Sequence, residues 1–244
     1  PILSSERVKA LQQASDGDQK ERIYDEALAD YFERRGFSVV LAESGLMGSF
    51  IYRACEMAGV AFVVHFHGAD AFVNTLVDQL RPHFDRFFYS ASALVVVSQA
   101  MREQLLRLGA PEDKVILGPY GVSIAQTALA DPENAPPIFL AVGRFVEKKS
   151  PHLTIKAFEK VRKEVPEARL IMVGDGPLLA HCKSLVQALG LDDAVTFTGV
   201  FSRRAVSHLM QTSRCFVQHS VIASNGDSEG LPLAILEAGA HGLP

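Results

Sequence analysis

The chain has 244 residues, room for one large α/β domain or two small ones, and 48% of them are apolar, which is ample for a buried core. A net charge of −4 with no dense Lys/Arg run excludes nucleic acid as an expected partner. Cys55, Cys182 and Cys215 are far apart, odd in number and without metal-ligand spacing, so they read as reduced structural thiols of a cytoplasmic protein.

The longest apolar runs, such as residues 60–64, fall far short of the ~20 residues of a membrane helix. The chain opens at Pro1 without Met or signal peptide and stops at Pro244 on what reads as the run-up to another strand, so a fragment is expected.

Residues 18–35 carry Ile23, Ala27, Leu28, Tyr31 and Phe32 at helical spacing, and Gly36 follows where a C′ glycine stops a helix. Residues 37–43 then read as a buried strand. A helix over 50–58, a strand over 60–66, helices across 72–90, a strand over 93–97, a helix over 99–108 and a strand over 114–117 follow. From Gly118 to Pro137 the periodicity is lost and Gly, Pro, Asn and Asp collect.

The alternation restarts with strands at 138–142, 169–173, 194–198 and 215–218 and helices at 151–165, 178–189, 203–211 and 232–240. Ser150 with Pro151 predicts an N-cap oxygen and a pre-set N1 residue, and Ser202 predicts a second cap. Short apolar strands separated by helices imply parallel sheets covered on both faces. The organisation expected is an α/β protein of two consecutive, incomplete Rossmann-like domains, 1–122 and 138–244, joined by a linker at 123–137.

In such sheets ligands sit beyond the carboxyl ends of the strands. After the strand at 138–142 comes "GRFVEKKS", where Gly143 permits a close turn and Arg144 and Lys149 put two cations in one loop; this suits a diphosphate or, equally, a solvated basic surface. "GDGPL", with Gly174 and Gly176, makes a tight strand-to-helix turn and is weak on its own. "SEGLP" ends the last long loop: Gly230 permits close approach, Pro232 opens a helix, and the amides around Gly230, Leu231 and Leu233 lie free for an anion.

Glu229 stands before that helix and Glu237 roughly 9 Å down its axis. The pair therefore fits two separated hydroxyl clusters of one long ligand, a sugar and a ribose, rather than one small group. His65 and His67 share one strand face with Asp70 following, a pattern faintly like metal hydrolases. Without further closely placed ligands a metal site is not expected there.

The stretch from "VGRFVEKKS" through "RLIMVGDGPL" and "VTFTGVF" to "EGLPLAILEAGAHGLP" resembles the donor domain of the family-4 retaining glycosyltransferases, and "VVHFHGADAF" and "VVVSQAMREQLLRLG" extend the likeness into the first half. The resemblance implies the GT-B fold, two Rossmann-like domains with parallel sheets facing across a cleft, and a retaining hexosyltransferase. It implies that Arg144 and Lys149 bind the donor diphosphate, with Lys148 the lesser stand-in. It further implies that Glu229 touches the donor sugar together with the backbone from Gly230 to Leu233, that Glu237 takes the ribose hydroxyls, and that His67 faces the transferred sugar.

"PYGVS" replaces the family's usual "PNGVD", Ser150 stands where glycine is common, and the family's N-terminal glycine-rich turn has no counterpart. No Asp-x-Asp metal motif is present, so no metal or cofactor is expected beyond a UDP- or GDP-sugar substrate. The acceptor implied is a sugar, polysaccharide or lipid-linked one, with peripheral contact at the inner membrane face for a longer parent protein. A nucleotide-sugar epimerase or phosphorylase relative, and a non-catalytic nucleotide-sugar-binding remnant, stay open as alternatives.

Overall fold

The computed structural model describes residues 3–124 and 128–244; residues 125–127 of the expected linker lie outside the described residues. The chain divides into two compact units, Pro1–Pro119 and Tyr120–Pro244. Among the described residues no helix is long and apolar enough to cross a membrane.

The first unit runs α1 (Ser5–Gln13), α2 (Gly17–Arg35), β1 (Val39–Ala42), α3 (Gly45–Ala58), β2 (Ala61–Phe66), α4 (Ala69–Phe72), α5 (Asn74–Ser90), β3 (Ala93–Val96), α6 (Gln99–Arg107) and β4 (Val115–Leu117). Short polar side chains set the helix starts: Asp16 accepts from Gln19 N–H, Ser44 from Met47 N–H and Ser98 from Met101 N–H. Gly36 and Gly59 close α2 and α3 in the left-handed conformation. The four strands pair in parallel in the order β1-β2-β3-β4.

The core of this unit is largely aromatic. Phe62, Phe66, Phe87 and Phe88 are fully buried, with Phe84 stacked on Phe88 at 4.6 Å between ring centroids. Gly45 and Gly48 begin α3 because Phe66 and Phe87 occupy the space a side chain there would need. The strand expected over 37–43 is shorter and is not buried: β1 lies at the sheet edge, and Val39 and Leu41 are 54% and 53% exposed. Strand alternation sends both to a face open to solvent.

The second unit runs β5 (Ile138–Val142), α7 (Pro151–Glu164), β6 (Arg169–Val173), α8 (Leu179–Ala188), β7 (Val195–Gly199), α9 (Arg203–Thr212), β8 (Cys215–Phe216) and α10 (Leu233–Ala240). Its strands are parallel in the order β7-β6-β5-β8. One face packs Ile155, Phe158, Leu170, Met172, Cys182 and Val186; the other packs Leu140, Val173, Met210, Ala238 and Leu243. This is a doubly wound layer, and the strand order reverses between β5 and β8. Cys55 and Cys182 are buried, which pushes each thiol up to about 11.

Ser202 accepts from Ala205 N–H as its sequence context predicts. Ser150 departs from expectation: it is left-handed, at φ 41°, and its hydroxyl donates to Glu147 O at 2.8 Å instead of capping α7. Ser150 is the single residue between the 3-10 turn Glu147–Lys149 and α7, and the left-handed conformation breaks the one helical segment from the other. That is a conformation glycine adopts without steric cost.

Candidate functional site

The reversal of strand order places the loops after β5 and β8 on either side of one crevice, where helix N-termini and strand ends leave backbone amides available. Gly143 and Arg144 leave β5, and a side chain at Gly143 would sit against the Lys149 chain, 3.6 Å from its Cε. Lys149 Nζ lies 3.2 Å from Glu229 Oε1, which closes the distance between the two loops. The expected cations and the Glu229–Gly230 turn therefore meet in one place. Gly230, Leu231 and Pro232 lead into α10, whose first turn at Leu233 has no side-chain cap.

Burial lowers the pKa of Lys149, while Glu229 opposes the shift and Lys148 and Arg144 reinforce it. Lys148 is more deeply placed. Its Nζ lies 2.9 Å from Asp227 Oδ1 and 3.8 Å from Glu229 Oε1, so it ties the loop before α10 to the loop after β5. Glu147 fastens the same loop by accepting from Ser224 N–H and Ser224 Oγ, at 2.7 and 2.8 Å, and these bonds lower its pKa. Arg144 is exposed, and among the described residues no carboxylate pairs with it. Lys148 and Lys149 are paired with Asp227 and Glu229, whereas Arg144 has no such partner among the described residues.

Gly174 and Gly176 stand behind this loop rather than beside open space. At φ 137° and 154°, added side chains would meet Gly143 O at 2.0 Å and Phe145 O at 2.6 Å. Gly143 N–H donates to Val173 O and Phe145 N–H to Asp175 O. The "GDGPL" turn is thus the bed on which the basic loop lies.

Sequence reasoning missed Gln218, just beyond β8. It lines the crevice with Gly143, Arg144 and Lys149, and its amide oxygen and nitrogen are buried with no hydrogen-bond partner among the described residues. A buried amide without partners is a signal only tertiary structure displays.

Glu237, on α10, lines a cavity of about 350 Å³ with Val142, Arg203, Ser207 and His241. Val142 precedes Gly143, so this cavity adjoins the same end of β5. His241 donates or accepts at Ser207 Oγ, 3.1 Å away, and its Nδ1 lies 2.7 Å from Ala128 O.

In the first unit His67 follows β2 and its Nε2 lies 3.0 Å from Glu43 Oε2; His65 Nδ1 lies 3.7 Å from the same oxygen. The two imidazole centroids are 4.4 Å apart. Burial, then the neighbouring His67, lowers the pKa of His65. Asp70 does not join them as a ligand. It is buried and accepts from the N–H groups of Gly45, His67 and Gly68, at 2.7, 3.2 and 2.9 Å, which ties α3 to the turn after β2.

Two family models match the chain: Glycosyl transferase 4-like domain over residues 10–121 and Glycosyl transferases group 1 over residues 128–244. The amylovoran biosynthesis glycosyltransferase AmsK of Erwinia amylovora is 27% identical over 184 residues, 75% of this chain and 45% of that protein. A GDP-mannose-dependent phosphatidylinositol monomannoside mannosyltransferase of Mycolicibacterium smegmatis is 29% identical over 109 residues, 44% of this chain and 28% of that protein. The chain thus spans less than half the length of these relatives.

Anabaena HepE, solved in complex with UDP, superposes with a TM-score of 0.75 at 18% identity, covering 100% of this chain and 70% of that one. The α/β class and the parallel sheets expected from the sequence are observed. With glycosyltransferase models matched over residues 10–121 and 128–244, and a solved neighbour that shares its fold over the whole chain, the chain belongs to the family-4 glycosyltransferases of GT-B fold.

Proposed function

We propose that this chain carries the donor-binding machinery of a retaining glycosyltransferase that moves a sugar from a UDP- or GDP-sugar to an acceptor hydroxyl in polysaccharide or glycolipid assembly. The observation that carries this is the meeting of Arg144, Lys149 and the Glu229–Gly230 turn at the β5/β8 reversal. A diphosphate leaving group gains negative charge as the glycosidic bond to it breaks. Arg144, Lys149 and the uncapped amides before α10 supply preorganised positive charge against it.

The Lys149–Glu229 pair has a direct chemical reading. Without donor, Glu229 keeps the half-buried ammonium neutralised; with donor, the diphosphate takes over Lys149 and Glu229 turns to hydroxyls of the transferred sugar. Glu237 takes the ribose hydroxyls, with Gln218 offering an amide to the nucleotide or diphosphate. Gly174 and Gly176 act by holding the basic loop. His67 is assigned to orienting the sugar by resemblance alone. Retention without a protein nucleophile follows when the leaving phosphate accepts the acceptor's proton on the same face.

The amylovoran relative supports a polysaccharide acceptor, and the UDP and GDP-mannose neighbours support a nucleotide donor of either base. Titration of UDP and GDP against the chain tests the reading. One nucleotide binds measurably, and Arg144→Ala or Lys149→Met weakens it ~10–100-fold, the loss of one charge-assisted hydrogen bond of ~1.5–3 kcal/mol. Glu237→Ala weakens the nucleotide while leaving its dependence on the sugar unchanged. Binding of neither nucleotide, or binding indifferent to Arg144 and Lys149, would reject the proposal.

A further inference from the structure

The strongest unassigned feature is the meeting of Glu43, His65 and His67 in the first unit, whose ligand atoms all lie within 4.8 Å of one another. Parallel pairing brings them together. Ala42 stands opposite Val64, so Glu43 comes one residue past that pair, level with His65, and His67 lies two residues further on the same strand face. Two ligand atoms each ~2.1 Å from a tetrahedral metal stand ~3.4 Å apart. The separations of 3.0 and 3.7 Å from Glu43 Oε2 to the two imidazole nitrogens bracket that value.

We propose that Glu43, His65 and His67 form a site for a borderline transition metal of the Zn²⁺ class. Two imidazoles and a carboxylate suit zinc, cobalt, nickel or copper, whereas calcium and magnesium require oxygen ligands throughout. The Glu43 and His67 side chains are 67% and 34% exposed, so an ion reaches the site from solvent and keeps water in its remaining position. Asp70, bonded to three backbone N–H groups, fixes the turn that carries His67, so the ligands are held before metal arrives.

Binding is a property of the first unit and needs no assumption about sugar transfer. One consequence does rest on the transferase reading: an ion that engages His67 removes it from the sugar, so zinc inhibits transfer.

Titration of the full chain with Co²⁺, followed by visible absorption and then by Zn²⁺ displacement, tests the site. One Co²⁺ binds per chain, and Zn²⁺ abolishes its spectrum. Glu43→Gln, at an exposed position, and His65→Gln each weaken Co²⁺ by more than the ~10–100-fold that losing a hydrogen-bonding partner of a ligand costs. His181→Gln, at the separate His152–His181 pair, leaves it unchanged. No stoichiometric spectrum, a Glu43→Gln protein that binds as wild type, or loss with His181→Gln would overturn the site. Zinc inhibition of transfer that Glu43→Gln relieves supports the consequence. A longer parent protein that binds Co²⁺ as described yet transfers no sugar defeats the transferase reading and leaves the metal site standing.

Discussion

At the scale of single residues, the cations of the basic loop differ in their pairing. Lys148 is paired with Asp227 and Lys149 with Glu229, while Arg144, the residue proposed for the donor diphosphate, has no carboxylate partner among the described residues. The glycines behind them carry a sharper demand. Gly174→Ala puts a methyl group on Gly143 O in a backbone conformation other residues rarely adopt. We expect a loss of ~2–5 kcal/mol in denaturant unfolding, summing conformational and overpacking costs.

His152 offers a residue-scale test by pH. Burial lowers its pKa below the usual 6.5, and His181, Lys156 and His219 push it the same way. The unfolded chain therefore binds the proton more readily than the folded one, so this residue's contribution to stability falls as pH drops through 6.5. Urea midpoints measured across that range should decline less for His152→Gln than for wild type; equal slopes would reject the assignment.

At the scale of elements, the loop before α10 is held by side chains of the loop after β5. Asp227→Ala would leave Lys148 with the Ser228 carbonyl oxygen at 3.5 Å and Glu229 at 3.8 Å. A fully buried pair costs ~3–5 kcal/mol to break; with Asp227 21% exposed we expect ~2–3 kcal/mol. Faster amide exchange should appear over residues 221–229. Nucleotide affinity should fall with it, since the Glu229–Gly230 turn loses its anchor. Unchanged exchange in that loop would show the pair to be incidental.

At the scale of the whole molecule, each unit has its own sheet and its own buried side chains. A protein of residues 120–244 should unfold cooperatively and, if the donor reading holds, bind UDP or GDP within about twofold of the full chain, because every proposed donor residue except His67 lies in it. Loss of nucleotide affinity in that protein would mean the first unit contributes to donor binding.

Strands at 138–142 and 169–173 were legible to the residue, because short apolar runs bounded by prolines, polar residues or glycine leave few alternatives. The basic loop and the Glu229 turn were legible as types of chemistry, since cations and glycines after strands have few other uses. α1 was not legible, being short and polar. Ser150 misled because its sequence context describes a cap, whereas its backbone conformation is imposed by the turn that precedes α7.

What the sequence determined by itself is periodicity, local caps and the chemical kinds of side chain present, all properties of neighbours along the chain. Tertiary structure alone decided that Lys149 meets Glu229, eighty residues later, and that Glu43, rather than the adjacent Asp70, joins the two histidines. Parallel strands are joined by long crossovers, so which residues lie level is set by how the sheet assembles and packs, and no local signal records it.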